Sequence, residues 1–318
     1  MTTANAAAPL PLPLFATTFP GPFPASPYGE HTEQQLLGWL EQHRLLRTST
    51  AKDALANITS HGAARSFPTA DADDLALFAQ LLLWLTAFDD VHGETSASNA
   101  PGLFVDHASE LMLVLAGNNS PPAANPFPTA LHHLLARFQI RASPTAYHRL
   151  TATLRDTLIA LVWEAHHAAK PEKAELKAYL AMRPHTVFVR VIMATAEIIL
   201  DYELTTAQRA QAPVRQLETS VANLAGWIND LASYKRESAQ GPAHPLSLPT
   251  LLQAQHGGTI QEAFAHANDM CRREAANARQ SITDLSDDHP NALTTHARAL
   301  ESITHSFIWH TDHARYRS

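Results

Sequence analysis

The chain has 318 residues, and its 23 basic and 30 acidic side chains give a formal net charge of −7. That balance argues against nucleic acid or an anionic membrane surface as a partner, since both are drawn to a positive field. Apolar residues make up 45% and charged residues 17%, enough for a sizeable core, and the single cysteine, Cys271, excludes a disulfide framework and zinc sites of paired cysteines.

In chain order the first element is not a helix. Pro9, Pro11, Pro13, Pro20, Pro22, Pro24 and Pro27 crowd the start, and each fixes φ and removes a donor. Residues 1–18 are therefore expected to be a disordered arm, with Phe19, Phe23 and Tyr28 pinning the next stretch of chain to a helical body at 19–318. No lysine or arginine precedes Arg44, so the basic start of a secretory signal is missing. The most apolar run, Leu75 to Phe88, is bounded by acids and interrupted by Gln80 and Thr86, short of the roughly 20 apolar residues of a membrane span. A cytoplasmic chain with no membrane anchor is the expectation, in keeping with the lone cysteine.

From Thr32 onward apolar residues recur at three- and four-residue intervals, alanine and leucine dominate, and no sustained alternation suggests strands. Helices are predicted over 32–47, 70–90, 107–116, 127–139, 144–169, 173–182, 186–204, 213–236, 260–284 and 290–315. Turn chemistry concentrates at 117–122 and 241–245. No linker of distinct composition divides the chain, so the fold class is all-α, a single helical domain.

Two places on these helices carry chemistry. The apolar run 81–88 leads straight into Asp89 and Asp90, with Glu94 four residues further on. Carboxylates at a helix C-terminus meet the negative end of the dipole, so a cation is expected there unless the pair simply opens a solvated loop. Hard oxygen donors suit magnesium. Downstream, Asn229, Ser233 and Glu237 stand at i, i+4 and i+8, a spacing that lines one helix face. Amide, hydroxyl and carboxylate oxygens together can chelate magnesium while leaving it able to hold a phosphate; the alternative is an ordinary polar face with Glu237 ion-paired. Arg236 is placed to reach the same phosphate.

The run Asp89-Asp90-Val91-His92-Gly93-Glu94 together with Asn229-Asp230-Leu231-Ala232-Ser233-Tyr234-Lys235-Arg236-Glu237 resembles the two metal-binding motifs of bacterial class I terpene synthases. Between and after them, Arg183-Pro184-His185-Thr186-Val187 is similar to that family's diphosphate-sensor segment, and Arg315-Tyr316 to its C-terminal arginine–tyrosine pair. Pro22-Phe23, Trp39, Trp163-Glu164, Tyr179-Leu180 and Trp309 add lesser similarities, so the likeness spans about residues 19–316.

The resemblance implies a class I terpenoid synthase-like α-helical bundle around a deep apolar cavity, with the metal motifs at its mouth. It implies a carbon–oxygen lyase that uses three magnesium ions (Mg2+) to ionise an isoprenyl diphosphate and cyclises the allylic cation. Carried over, Asp89 bridges two ions, with Asp90 and Glu94 in the same motif, and Asn229, Ser233 and Glu237 hold the third. Arg183, Arg236, Arg315 and Tyr316 bind the diphosphate; Thr186 and Val187 match the linker and effector positions. Ring faces that steady a cation, worth about 0.5–2 kcal/mol each, are expected from Trp309 and Phe67, with Leu82, Leu85 and Thr86 leading toward Asp89; plain core packing is the alternative for Phe67. Farnesyl diphosphate is the expected substrate and geranylgeranyl diphosphate the alternative. A chain-elongating prenyltransferase is expected to carry a second Asp-rich motif in place of Asn229, Ser233 and Glu237; a helical protein that binds isoprenoids without turnover is the remaining rival. A homodimer is possible by analogy with the family.

Three local features depart from the family pattern. On an α-helix Asp89 and Glu94 are separated by about 500° of rotation, well off one face. Pro184 is expected to break the helix that carries Arg183. Val187 stands where glycine is frequent. A di-iron reading of Glu164 and His167 fails, because it requires a second Glu-x-x-His that the chain lacks.

Overall fold

The apolar run at 75–88 becomes the middle of a helical bundle. The computed structural model describes residues 10, 12–94, 101–117, 125–168, 174–240, 245–287, 289 and 291–311, and no strand occurs among them. The helices are α1 (Gly29–His43), α2 (Ser49–Ser66), α3 (Ala72–Phe88), α4 (Pro101–Leu115), α5 (Pro126–Arg141), α6 (Pro144–Ala168) and α7 (Leu176–Thr186). They continue as α8 (Val189–Ile199), α9 (Thr206–Arg209), α10 (Ala212–Gln240), α11 (Leu248–His256), α12 (Ile260–Leu285) and α13 (Ala292–His310). A π-helical turn, Asp89–Glu94, extends α3.

Local chemistry sets the starts. The Asp71 carboxylate accepts the Asp74 N–H at 2.9 Å to open α3, and Thr259 with Glu262 forms a reciprocal capping box on α12. Such caps satisfy the orphan donors of a first turn, each contributing about 1 kcal/mol. Packing supplies the rest. Helix α3 is flanked by α1, α2, α5 and α8, and its Trp84 indole donates to the Phe127 carbonyl at 3.0 Å. By length and composition alone residues 72–93 are long and apolar enough to cross a membrane, against the sequence expectation, but 67% of the most apolar 18-residue stretch within them is buried inside the bundle. The neighbours α2, α3, α6, α8, α10 and α13 share the wall of one cavity.

Several boundaries differ from those predicted. Helix α2 escapes prediction because its buried face includes Ala56, Ser60, Gly62, Ala63, Ala64 and Ser66 rather than a leucine stripe. Small residues let α13 approach closely: a Cβ on Gly62 would lie 2.7 Å from His310 Cε1. Helix α11, short and opened by Pro249, escapes it too. Pro184 does not break its helix; α7 continues through it to Thr186, and the chain turns instead at Phe188, whose φ is 63°. Helix α4 begins at Pro101 and α13 ends at His310. Of the arm expected over 1–18, residues 1–9 and 11 lie outside the described residues. Within the remainder Phe15 is buried, and Arg279 donates to the Thr18 carbonyl at 2.8 and 3.0 Å, so packed chain begins before residue 19.

Candidate active site

The cavity measures about 610 Å³. One side of it is set by the π turn. Asp89 and Asp90 both line the cavity. In π winding the hydrogen bond runs from residue i+5 back to i, so position 94 stands about one turn above position 89 rather than off its face. The wider turn thus removes the geometric objection raised by an α-helical reading; the side chain of Glu94 itself lies outside the described residues. Gly93 leaves room for the Asp89 carboxylate, which a Cβ at that position would push aside. His92 in the same turn is kept neutral, its pKa lowered to about 4 by burial and by His107.

The other side comes from α10. Asn229, Arg236 and Glu237 line the cavity, and Arg236 lies 3.6 Å from Glu237. Ser233 is not brought to the wall: it is fully buried, and its hydroxyl donates to the Asn229 carbonyl at 2.8 Å. Among the described residues no three His, Cys, Asp or Glu side chains converge on one point. A divalent ion here would be held by mixed carboxylate and amide oxygens contributed from both sides, the donor chemistry of a hard cation.

Between the two stands Arg183. Its Nε donates to Asp230 Oδ1 at 2.8 Å, one terminal nitrogen donates to Asn229 Oδ1 at 2.7 Å and the other to the Thr186 hydroxyl at 3.1 Å. Glu164 Oε1 lies 3.5 Å from the guanidinium. A Cβ on Gly226 would come within 2.8 Å of Arg183 Cγ, so glycine at that position is what lets the side chain pass α10. Burial disfavours the Arg183 charge, yet Asp230, Tyr179 and Glu164 more than compensate and its pKa rises. Asp230 also accepts the Tyr179 hydroxyl and the Leu248 N–H at 2.8 Å, tying α7, α10 and the start of α11 together. Burial pushes the Glu164 carboxyl upward despite Arg183 and the Thr186 hydroxyl.

Sequence reasoning misses three groups here. Glu164 is readable as a lone carboxylate on the apolar face of α6, beside Leu161 and Ala165. Asp230 stands inside a motif whose neighbours draw the attention. Phe188, which lines the cavity from a left-handed backbone position, carries no sequence signal, since that conformation costs a non-glycine residue about 1–2 kcal/mol.

The walls correct other expectations. Leu82, Thr86 and Val187 line the cavity, as do Arg183 and Thr186. Leu85 does not; it is buried in the core. Phe67 is fully buried and packs edge-on against Phe78 at 4.6 Å, so it is a core residue and not a wall. Trp309 is also off the wall. Its ring lies under the Arg65 guanidinium at 4.1 Å, and α13 lines the cavity through Ser306, Phe307 and His310 instead. One turn of helix carries about 3.6 residues, so position 309 is rotated off the face that 306 and 310 share. Arg315 and Tyr316 lie outside the described residues.

The family described as terpene synthase family 2, C-terminal metal binding, matches residues 80–277. A (12E)-labda-8(17),12,14-triene synthase from Streptomyces cyslabdanicus is 66% identical over 99% of this chain and 96% of its own length. A labda-7,13(16),14-triene synthase from Streptomyces clavuligerus is 33% identical over 89% of this chain and 82% of its own. The crystal structure of a linalool/nerolidol synthase from Streptomyces clavuligerus superposes with a TM-score of 0.79 at 20% identity, covering 91% of this chain and 98% of that one; at that identity the likeness speaks for the fold.

Proposed function

The chain belongs to terpene synthase family 2, and from that premise we propose that it ionises a C20 allylic diphosphate whose two rings are already closed and ends the reaction by losing a proton. The coarser statement needs no proposal: it is a terpene synthase, a carbon–oxygen lyase acting on an isoprenyl diphosphate with a divalent metal. The C15 substrate and ring closure expected from the sequence give way here to the C20 alternative.

The substrate reading starts from the product named for the relative with 66% identity. In a labda-8(17),12,14-triene the alkene at C8 is insulated from the side-chain diene by saturated C9 and C11. The 12,14-diene is what remains when an allylic diphosphate at C15 departs and C12 loses a proton. The rings take no part in that step, so the reaction that supplies the substrate must have closed them while leaving the diphosphate intact. The observation that carries the reading to this chain is its wall. Among the described lining residues the phenyl rings are those of Phe188 and Phe307, and the rest of the apolar wall is aliphatic, including Leu55, Ile58, Leu161 and Ile192. A cation that migrates through many positions needs ring faces along its path; one that collapses at the allyl end does not.

The chain's own groups would divide the work between metal and diphosphate. Asp89 and Asp90 on one side, and Asn229 and Glu237 on the other, would hold Mg2+, with Ser233 supporting Asn229 through its carbonyl. When bound, divalent ions neutralise the charge that develops on the departing oxygens. Arg183 and Arg236 would hydrogen-bond the diphosphate, Arg183 while its Nε stays on Asp230. Aliphatic walls exclude water, which strengthens these contacts.

The test is a product assay with the bicyclic C20 allylic diphosphate, geranylgeranyl diphosphate and farnesyl diphosphate, each with Mg2+ and with chelator. We expect a labdatriene from the bicyclic substrate alone, and only with metal. A higher kcat/KM on farnesyl diphosphate would overturn the C20 reading, and turnover indifferent to chelator would overturn the metal assignment.

A further inference from the structure

Four of the described residues lining the cavity bear carboxylates: Asp89, Asp90, Glu164 and Glu237. Three belong to the two oxygen-rich sides. Glu164 belongs to neither. It projects from α6 among Leu161, Ala165 and Ala168, which line the same wall, and 23% of its side chain is exposed. A carboxylate in an apolar wall is costly unless paired or used.

Its pairing is the weaker of two. Arg183 is shared between Asp230, at 2.8 Å, and Glu164, at 3.5 Å. A guanidinium turning toward phosphate oxygens keeps the shorter, buried contact and gives up the longer one. Glu164 then keeps the Thr186 hydroxyl but loses its guanidinium contact, which makes its carboxylate the stronger proton acceptor beside the diphosphate. The proton to be lost sits on a carbon three bonds from the carbon that bore the diphosphate, within the same corner of the cavity. The wall hydroxyls of Ser66, Thr86 and Ser306 are far weaker bases than a carboxylate.

We propose that Glu164 is the base that ends the reaction: its carboxylate takes the proton from the carbon next to the allylic cation. The C–H electron pair becomes the new double bond, the positive charge is extinguished, and Glu164 becomes a neutral acid that passes its proton to the released diphosphate. This rests on the elimination reading above. It also gives a physical meaning to the two relatives' names, whose side-chain alkenes, 12,14 and 13(16),14, differ in which neighbour of C13 was deprotonated.

The experiment is Glu164→Gln, with diphosphate release and hydrocarbon products measured together on the bicyclic C20 substrate. The ratio decides, whatever the rate. We expect the 12,14-diene formed per diphosphate released to fall about tenfold or more, within the range a positioned proton acceptor contributes, replaced by the 13(16),14 isomer and by alcohols. An unchanged product ratio would overturn the proposal and make Glu164 a positioning residue for Arg183. Should Glu164→Gln not fold, Glu164→Asp carries the test: withdrawing the carboxylate by one methylene should raise the minor products severalfold, and the wild-type ratio would again overturn it. If wild-type protein makes no triene from the bicyclic substrate, the elimination reading fails before any variant is compared.

Discussion

Two buried charge clusters in this protein invite comparison. Away from the cavity, Glu197 is 3% exposed at its side chain and accepts from both Arg149 and Arg209; Glu203 stands 3.9 Å from Arg149 and Glu218 3.6 Å from Arg209. Each guanidinium there has more than one carboxylate, and none of the five lines the cavity. At the cavity, one guanidinium, Arg183, serves both Asp230 and Glu164, and Glu237 lies close enough to influence it. With Arg190, whose charge also acts on Glu218, the first cluster has three guanidiniums for three carboxylates. The second, even with Arg236 beside Glu237, has two guanidiniums for three carboxylates and opens on the cavity beside Asp89 and Asp90. A buried ion pair taken alone is weak evidence of function; an imbalance that opens on a cavity is stronger.

The sharpest way to break the comparison is at Arg183. Arg183→Lys keeps the charge but loses the fork that reaches Asp230, Thr186 and Asn229 at once. We expect kcat/KM to fall about 10²–10³-fold, the scale of a lost transition-state donor; a fall below threefold would mean the diphosphate is held elsewhere. At the other cluster, Glu197→Gln leaves Arg149 and Arg209 without their shared charge. It should cost about 3 kcal/mol of stability in denaturant titration, with kcat per folded molecule unchanged. Loss of activity without loss of stability there would erase the distinction. Gly93→Ala should displace the Asp89 carboxylate and lower kcat about tenfold, a loss near 1.4 kcal/mol, with little change in Tm. The smallest effect is expected at Phe67→Leu: about 1–2 kcal/mol of stability, from repacking against Phe78, and an unaltered product profile.

The long helices are legible in the sequence because α6, α10 and α12 bury periodic apolar residues and α3 is a continuous apolar run. Asn229, Ser233 and Glu237 are legible because their oxygens recur at helical spacing, and Asp89 with Asp90 because the pair abruptly ends an apolar run. What the sequence hides depends on contacts between elements. Helix α2 buries small residues whose value lies only in how closely α13 approaches. The π turn is a change of winding that no periodicity announces, yet it decides where position 94 stands. Trp309 and Phe67 mislead because aromatic character says nothing about which side of a helix meets the cavity. Glu164 reads in the sequence as half of an iron motif and as part of a lesser family similarity; its role in the cavity comes from Arg183, supplied by a different helix.

The stretch from Phe15 to Tyr28 has a practical consequence. Phe15 and Phe19 sit in the core, Phe23 stacks on His305 at 4.4 Å, and Arg279 clasps the Thr18 carbonyl while pairing with Glu301 on α13 at 2.6 Å. Trimming the gene to begin at residue 20 for easier expression would strip two phenylalanines from the interior and unbuckle α12 from α13, the helix that presents Phe307 to the substrate. Shortened forms should therefore keep everything from residue 10 onward, where Leu10 packs against the core.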